Sequence, residues 1–111
     1  MRLVILESPY AGDIEANTEY ARAALRDCLL RGEAPIASHL LYTQPGVLRD
    51  ELPAEREHGI AAGLAWGRVA EATVVYTDRG VSRGMEFGIA AAEAAGRPVE
   101  FRRINEDRQD G

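Results

Sequence analysis

Apolar residues recur along the chain with two spacings, and the alternation between the two predicts the architecture. After Arg2, Leu3-Val4-Ile5-Leu6 is a continuous apolar run that stops at Glu7-Ser8-Pro9-Tyr10-Ala11-Gly12. A short run apolar on both faces marks a central parallel strand. Asp13 can cap the helix that follows, which the pattern carries to about Arg31, before Gly32. Its inner stripe reads Ile14, Asn17, Ala21, Ala24, Leu25 and Cys28 at helical spacing. Ala34 to Leu41 reads as a second strand, with Pro35 at its start where the missing N–H is harmless, and His39 near its end. A polar loop turns at Gln44-Pro45-Gly46.

A second helix is expected from about Pro53 to Val69, with Ile60, Leu64 and Gly67 on one face. Ala72 to Thr77 is the third strand, and Asp78-Arg79-Gly80-Val81 its turn. Ser82 caps a third helix that ends at Gly96, and Arg97 to Phe101 is a last edge strand. Strands alternating with helices of this length imply an α/β fold: a single three-layer, Rossmann-like (flavodoxin-like) domain with a four-stranded parallel sheet. The domain is expected over residues 1–101. Residues 102–111 are expected to form a polar, loose tail.

Composition narrows the partners. The 111 residues suffice for one domain, with an ordinary 46% hydrophobic and 28% charged content. A net charge of −5 argues against nucleic-acid binding, which needs a basic face. It leaves room for a small anion held by a local positive field. No apolar run reaches the roughly 20 residues that span a bilayer, so no membrane association is expected, and Leu3 to Leu6 is too short for a secretory signal. The single Cys28 fits a reducing compartment, and the expected location is the cytoplasm. No Cys/His cluster has metal-ligand spacing, and no cofactor is expected.

In open parallel sheets, ligands bind beyond the carboxyl ends of the strands. The unusual residues of this chain fall there. Ser82 at a helix start, with Gly84 just inside, leaves first-turn N–H groups pointing outward, which together with the helix dipole favour a phosphate. Arg83 can add a charge-assisted contact. Glu86, four residues after Ser82, sits at the border of the Met85, Ile89, Ala92 and Gly96 stripe. It reads either as a cleft carboxylate or as a surface Glu suited to a first helical turn. Tyr10 offers a ring for stacking on a base or sugar. Asn17 reads either as a buried amide bonded to a loop or as a ligand contact. His39 reads as a structural histidine or as an acid or base. Three-glycine dinucleotide and Walker A sequences are both absent.

Taken together, Ser8-Pro9-Tyr10 after the first strand, Asp78 after the third, and Ser82-Arg83-Gly84-Met85-Glu86-Phe87-Gly88-Ile89-Ala90 resemble the nucleoside 2-deoxyribosyltransferase-like superfamily, in a branch of small bacterial and phage proteins. The resemblance covers Leu3 to about Phe101. It implies Glu86 as the nucleophile at the anomeric carbon and Asp78 as the second acidic residue. Ser8, Tyr10, Asn17, His39, Ser82, Arg83 and Gly84 would then surround a small-molecule nucleotide. Arg83 and Met85 stand where the transferases carry small residues. That difference favours cleavage of the base–(deoxy)ribose bond of a nucleoside 5'-monophosphate over transfer between free nucleosides. The resemblance also implies a homodimer. A non-catalytic nucleotide-binding module using the same cleft and a nucleoside deoxyribosyltransferase are the alternatives.

Overall fold

A computed structural model describes residues 1–106 of the chain. Strand β1 (Arg2–Glu7) is followed by helix α1 (Ile14–Leu30) and strand β2 (Glu33–Ile36). The short helix α2 (Ser38–Leu41) and helix α3 (Pro53–Gly67) precede strand β3 (Ala72–Tyr76). Helix α4 (Arg83–Ala94) and strand β4 (Val99–Arg102) complete the fold. The four strands form one all-parallel sheet in the order β2-β1-β3-β4. The expected α/β, Rossmann-like domain with a four-stranded parallel sheet is the architecture observed.

Local chemistry sets the helix limits. Asp13 Oδ1 accepts the Ala16 N–H at 3.2 Å, and Gly32, at φ +80°, lets the chain leave α1 in a left-handed conformation. Right-handed crossovers place α1 on one face of the sheet and α3 and α4 on the other, because the chain moves to one side of β1 first and then to the opposite side. Strand alternation then divides the side chains. Val4, Leu6, Val74 and Tyr76 pack with Ala24 and Cys28 of α1 into one buried cluster. Every residue of β3 is buried, as a central strand requires.

Two expectations are corrected here. The strand expected over residues 34–41 ends at Ile36, and the remainder turns into α2, so His39 sits on a helical turn rather than in a strand. A short apolar run carries no period that separates the two conformations. The chain beyond Phe101 also departs from a loose tail at its beginning. Arg102 belongs to β4 and is buried, Ile104 packs against the core, and the Asn105 N–H donates to Asp27 at 3.0 Å. Residues 107–111 of the expected tail lie outside the described residues.

Arg102 is the centre of an ionic cluster that joins all four strands. Its guanidinium donates to both Glu33 oxygens at 2.7 and 3.0 Å, and to Glu100 at 3.0 Å. It also lies 5.7 Å from the Tyr76 ring centroid. Arg2 adds bonds to Glu33 at 2.7 Å and to Glu100 at 2.6 Å. Tyr76 in turn donates to Asp27 at 2.6 Å, which also holds Arg31 at 2.7 Å. Burial opposes the charge on Glu33 and Asp27, but the hydrogen bonds from Arg102, Arg2, Tyr76 and Arg31 outweigh it and hold both carboxyls below their ordinary range.

Removing one partner of a buried ion pair leaves the other uncompensated. Arg102→Ala should therefore lower stability by about 3 kcal/mol in urea unfolding near neutral pH. Because the folded-state values of Glu33 and Asp27 are depressed, their contribution is fully present above the unfolded values of 4.5 and 3.8 and is lost as pH falls below them. The gap between wild type and variant should accordingly shrink in acid.

Candidate functional site

Alternation along β1 turns Ile5 and Glu7 toward α3 and α4. Those helices do not close onto the sheet there. A cavity of about 500 Å³ remains between them, within the range of small-molecule sites. Its walls are mainly apolar, from Ile5, Ile36, Ile60, Leu64, Met85 and Phe87. The expected stripe of α3 does face inward, but over this space, so Ile60 and Leu64 stay partly exposed while Gly67 is buried.

Of the residues singled out from sequence, the fold brings six to this cavity: Ser8, Tyr10, His39, Ser82, Arg83 and Gly84. Ser8 is buried at the carboxyl end of β1, and its Oγ shares a 2.7 Å hydrogen bond with His39 Nε2 on α2. Burial pushes the His39 imidazole down to about 4, so it is neutral at physiological pH. The Tyr10 ring meets it edge-on, with centroids 6.4 Å apart. At the start of α4, Ser82 Oγ accepts the Met85 N–H at 3.3 Å, and the Met85 sulfur accepts the Ser82 N–H at 3.3 Å. Arg83 and Gly84 occupy the first two helical positions, whose N–H groups have no acceptor inside the helix.

Three expected site residues do not line the cavity, each for a geometric reason. Asn17 is fully committed to structure. Its amide donates to the carbonyls of Tyr10 and Ala11 at 3.0 and 3.1 Å, and its oxygen accepts from Arg79 at 3.0 Å. Asp78 clasps α1 to the segment after β4, accepting from Tyr20 at 2.5 Å and from the Ile104 N–H at 3.2 Å. Glu86 lies on the exposed side of α4, about 100° around the helix from the buried Met85.

Three carboxyl residues line the cavity, Glu7, Asp50 and Glu55, and the one supplied by the sheet is Glu7, which reads in the sequence as the first residue of a polar turn. It is the last residue of β1 and shares the face of Ile5. It has no hydrogen-bond partner among the described residues. Burial pushes it up to about 7, and the Arg97 guanidinium draws it only partway back. Its carboxylate rests against the α4 backbone at Gly88, where an added Cβ would fall inside it. Arg97 completes the floor, donating to Thr73 Oγ1 at 2.9 Å and to the Gly67 carbonyl at 2.7 Å. The period-2 step from Ile5 to Glu7 was the available signal for the carboxyl. Arg97, placed by a turn, left none.

A family model described as a domain of unknown function (DUF7768) matches residues 2–102. The chain belongs to that family. The matched span begins at Arg2 and ends at Arg102, so it contains the whole ionic cluster and the whole cavity. No curated protein and no solved structure matches the chain.

Two measurements check the Glu7 assignment. In the unfolded chain Glu7 titrates near 4.5, and in the folded chain near 7. A raised folded-state value contributes stability that is fully present below pH 4.5 and lost as pH rises to about 7. Glu7→Gln should remove that loss, on the order of 2–3 kcal/mol, in urea titrations across the window. Gly88→Ala should destabilise the protein by about 1–3 kcal/mol through overpacking, and adding Glu7→Ala should restore most of it.

Proposed function

We propose that the cavity binds a nucleoside 5'-monophosphate and that the protein hydrolyses its N-glycosidic bond, with Glu7 as general acid. The observation that carries this reading is the Glu7 carboxyl, unpartnered among the described residues and partly protonated near neutral pH, in a mainly apolar cavity that also includes the start of α4. An acid works best when its pKa lies near the working pH. The Arg83 and Gly84 N–H groups, the helix dipole and the Arg83 guanidinium suit a phosphate. Tyr10, beside His39, supplies an aromatic edge for the sugar or base.

The chemistry balances around one proton. Glu7 gives its proton to a ring nitrogen of the base as the C1'–N bond breaks and its electron pair leaves with the base. Water adds to the oxocarbenium-like sugar, and the proton it sheds returns to the Glu7 carboxylate. The phosphate fixed at α4 positions the sugar, which can lower the barrier by several kcal/mol.

Ile60, Leu64 and Phe87, exposed beside the cavity, support the homodimer that the resemblance implies. No helix among the described residues is long and apolar enough to cross a membrane. The buried free thiol of Cys28 supports a cytoplasmic location.

Free base, read by chromatography after incubation with nucleoside monophosphates, tests the reading. Glu7→Gln should reduce release by roughly 10²-fold or more while binding persists. Loss of release with Glu86→Gln but not with Glu7→Gln would return the central role to Glu86. Binding without release from any nucleotide would leave a non-catalytic binding module.

A further inference from the structure

The cavity has a direction. Ser82, Gly84, Met85, Gly88 and Ala91 of α4 all line it, so it runs along about 13 Å of that helix from the capped start inward. A phosphate at the helix start, then a sugar, then a base fill that length in series. The base is then the part that meets Glu7 and Arg97.

Those two groups share one wall without bonding to each other. No Glu7–Arg97 ion pair forms among the described residues. Glu7 pairs in register with Val75, and Arg97 Nε is fixed on Thr73, two residues further back along β3. The two anchors are thus offset by two residues, about 7 Å, along the strands, and the Glu7 carboxyl and the long Arg97 side chain both reach into the same cavity. Nε and Nη1 of Arg97 are engaged by Thr73 and Gly67, and Nη2 has no partner among the described residues. A guanidinium only donates, and a carboxyl acting as general acid also donates. The wall therefore offers two donors side by side, and the complementary edge carries two adjacent acceptors.

Among the purines that edge is specific. Guanine and hypoxanthine present N7 and O6, both acceptors, whereas adenine sets an amino donor beside N7. Uracil sets an N–H between its two carbonyls, and cytosine has two adjacent acceptors, N3 and O2, on a single smaller ring. We propose that the cavity selects a 6-oxopurine nucleotide over a 6-aminopurine one, with the Glu7 carboxyl on N7 and Arg97 Nη2 on O6. The assignment rests on the N-glycosidase reading. It makes Arg97 the specificity-determining residue, since an amino group at the purine 6-position would leave that donor unpaired once the ligand covers it.

The test compares GMP, IMP, AMP, CMP and UMP with the wild-type protein, reading base release. IMP and AMP form the decisive pair, because their bases differ only in the 6-substituent and the N1 proton that accompanies the 6-oxo form. Release from GMP and IMP should exceed that from AMP by roughly tenfold or more. Arg97→Met, verified as folded by circular dichroism, should bring the IMP/AMP ratio close to one. Should that variant fail to fold, the wild-type ratio still decides. Equal release from IMP and AMP overturns the base assignment and leaves the glycosidase reading standing. If none of the five releases base, calorimetric binding of the same five separates the two ideas. A tenfold preference for IMP over AMP then keeps the base assignment and overturns catalysis, whereas no preference, or no binding, overturns both.

Discussion

The Arg102–Glu33 pair is the interaction on which the rest of the domain depends. It links the two outermost strands across β1 and β3, and Arg2, Glu100 and Tyr76 bind the inner strands into the same cluster. A buried pair of this kind is stable only when the surrounding donors and acceptors are satisfied. That condition holds here, with no buried unsatisfied side-chain polar atom among the described residues. The consequence is geometric. Strand register is tied from the α1 face, through Arg2, Glu33, Tyr76 and Arg102.

The opposite face can then remain open. Helix α4 approaches β1 closely at Gly88, and helix α3 approaches α2 closely at Gly63. A Cβ on Gly63 would come within 2.9 Å of Ser38 Oγ, and one on Gly88 would displace the Glu7 carboxylate. Filling this space with larger side chains would have gained packing energy. The sequence instead leaves a cavity and places a carboxyl without a hydrogen-bond partner inside it. Features that oppose stability in this way persist where they serve a ligand.

Much of this was legible from periodicity. The run Leu3 to Leu6, the stripe of α1, the Asp13 and Ser82 caps and the buried β3 all follow from local rules that the tertiary structure does not override. The second strand was legible only to Ile36, since Ala37 to Leu41 satisfies a strand and a helical turn equally. Arg102 was not legible. Its burial depends on Glu33, 69 residues away, and no local pattern announces a partner at that distance. Asn17 was recognised as odd, and the fold resolves it toward loop anchoring through Tyr10, Ala11 and Arg79. At the helix start the residues suited to an anion could be read, but the carboxylate nearest in sequence, Glu86, is turned outward. Glu7 reaches the cavity from β1, through sheet pairing that only topology supplies.

Glu7 ties stability to chemistry through a single free energy. Desolvation penalises its charged form, which costs the folded state stability as pH rises toward 7, and the same penalty keeps a proton available near neutrality. Arg97 moderates the penalty from the cavity floor without contacting the carboxyl. Were Arg97 close enough to pair with it, Glu7 would be held as a carboxylate and lose its proton. Were Arg97 absent, the carboxyl would be pushed further up and would be a poorer acid. The spacing set by Thr73 and Gly67 keeps the group between those limits. His39, neutral and tied to Ser8, adds no competing charge at the mouth. A ligand that displaces water from the cavity would strengthen each of these influences at once, because all act through the same low-dielectric space.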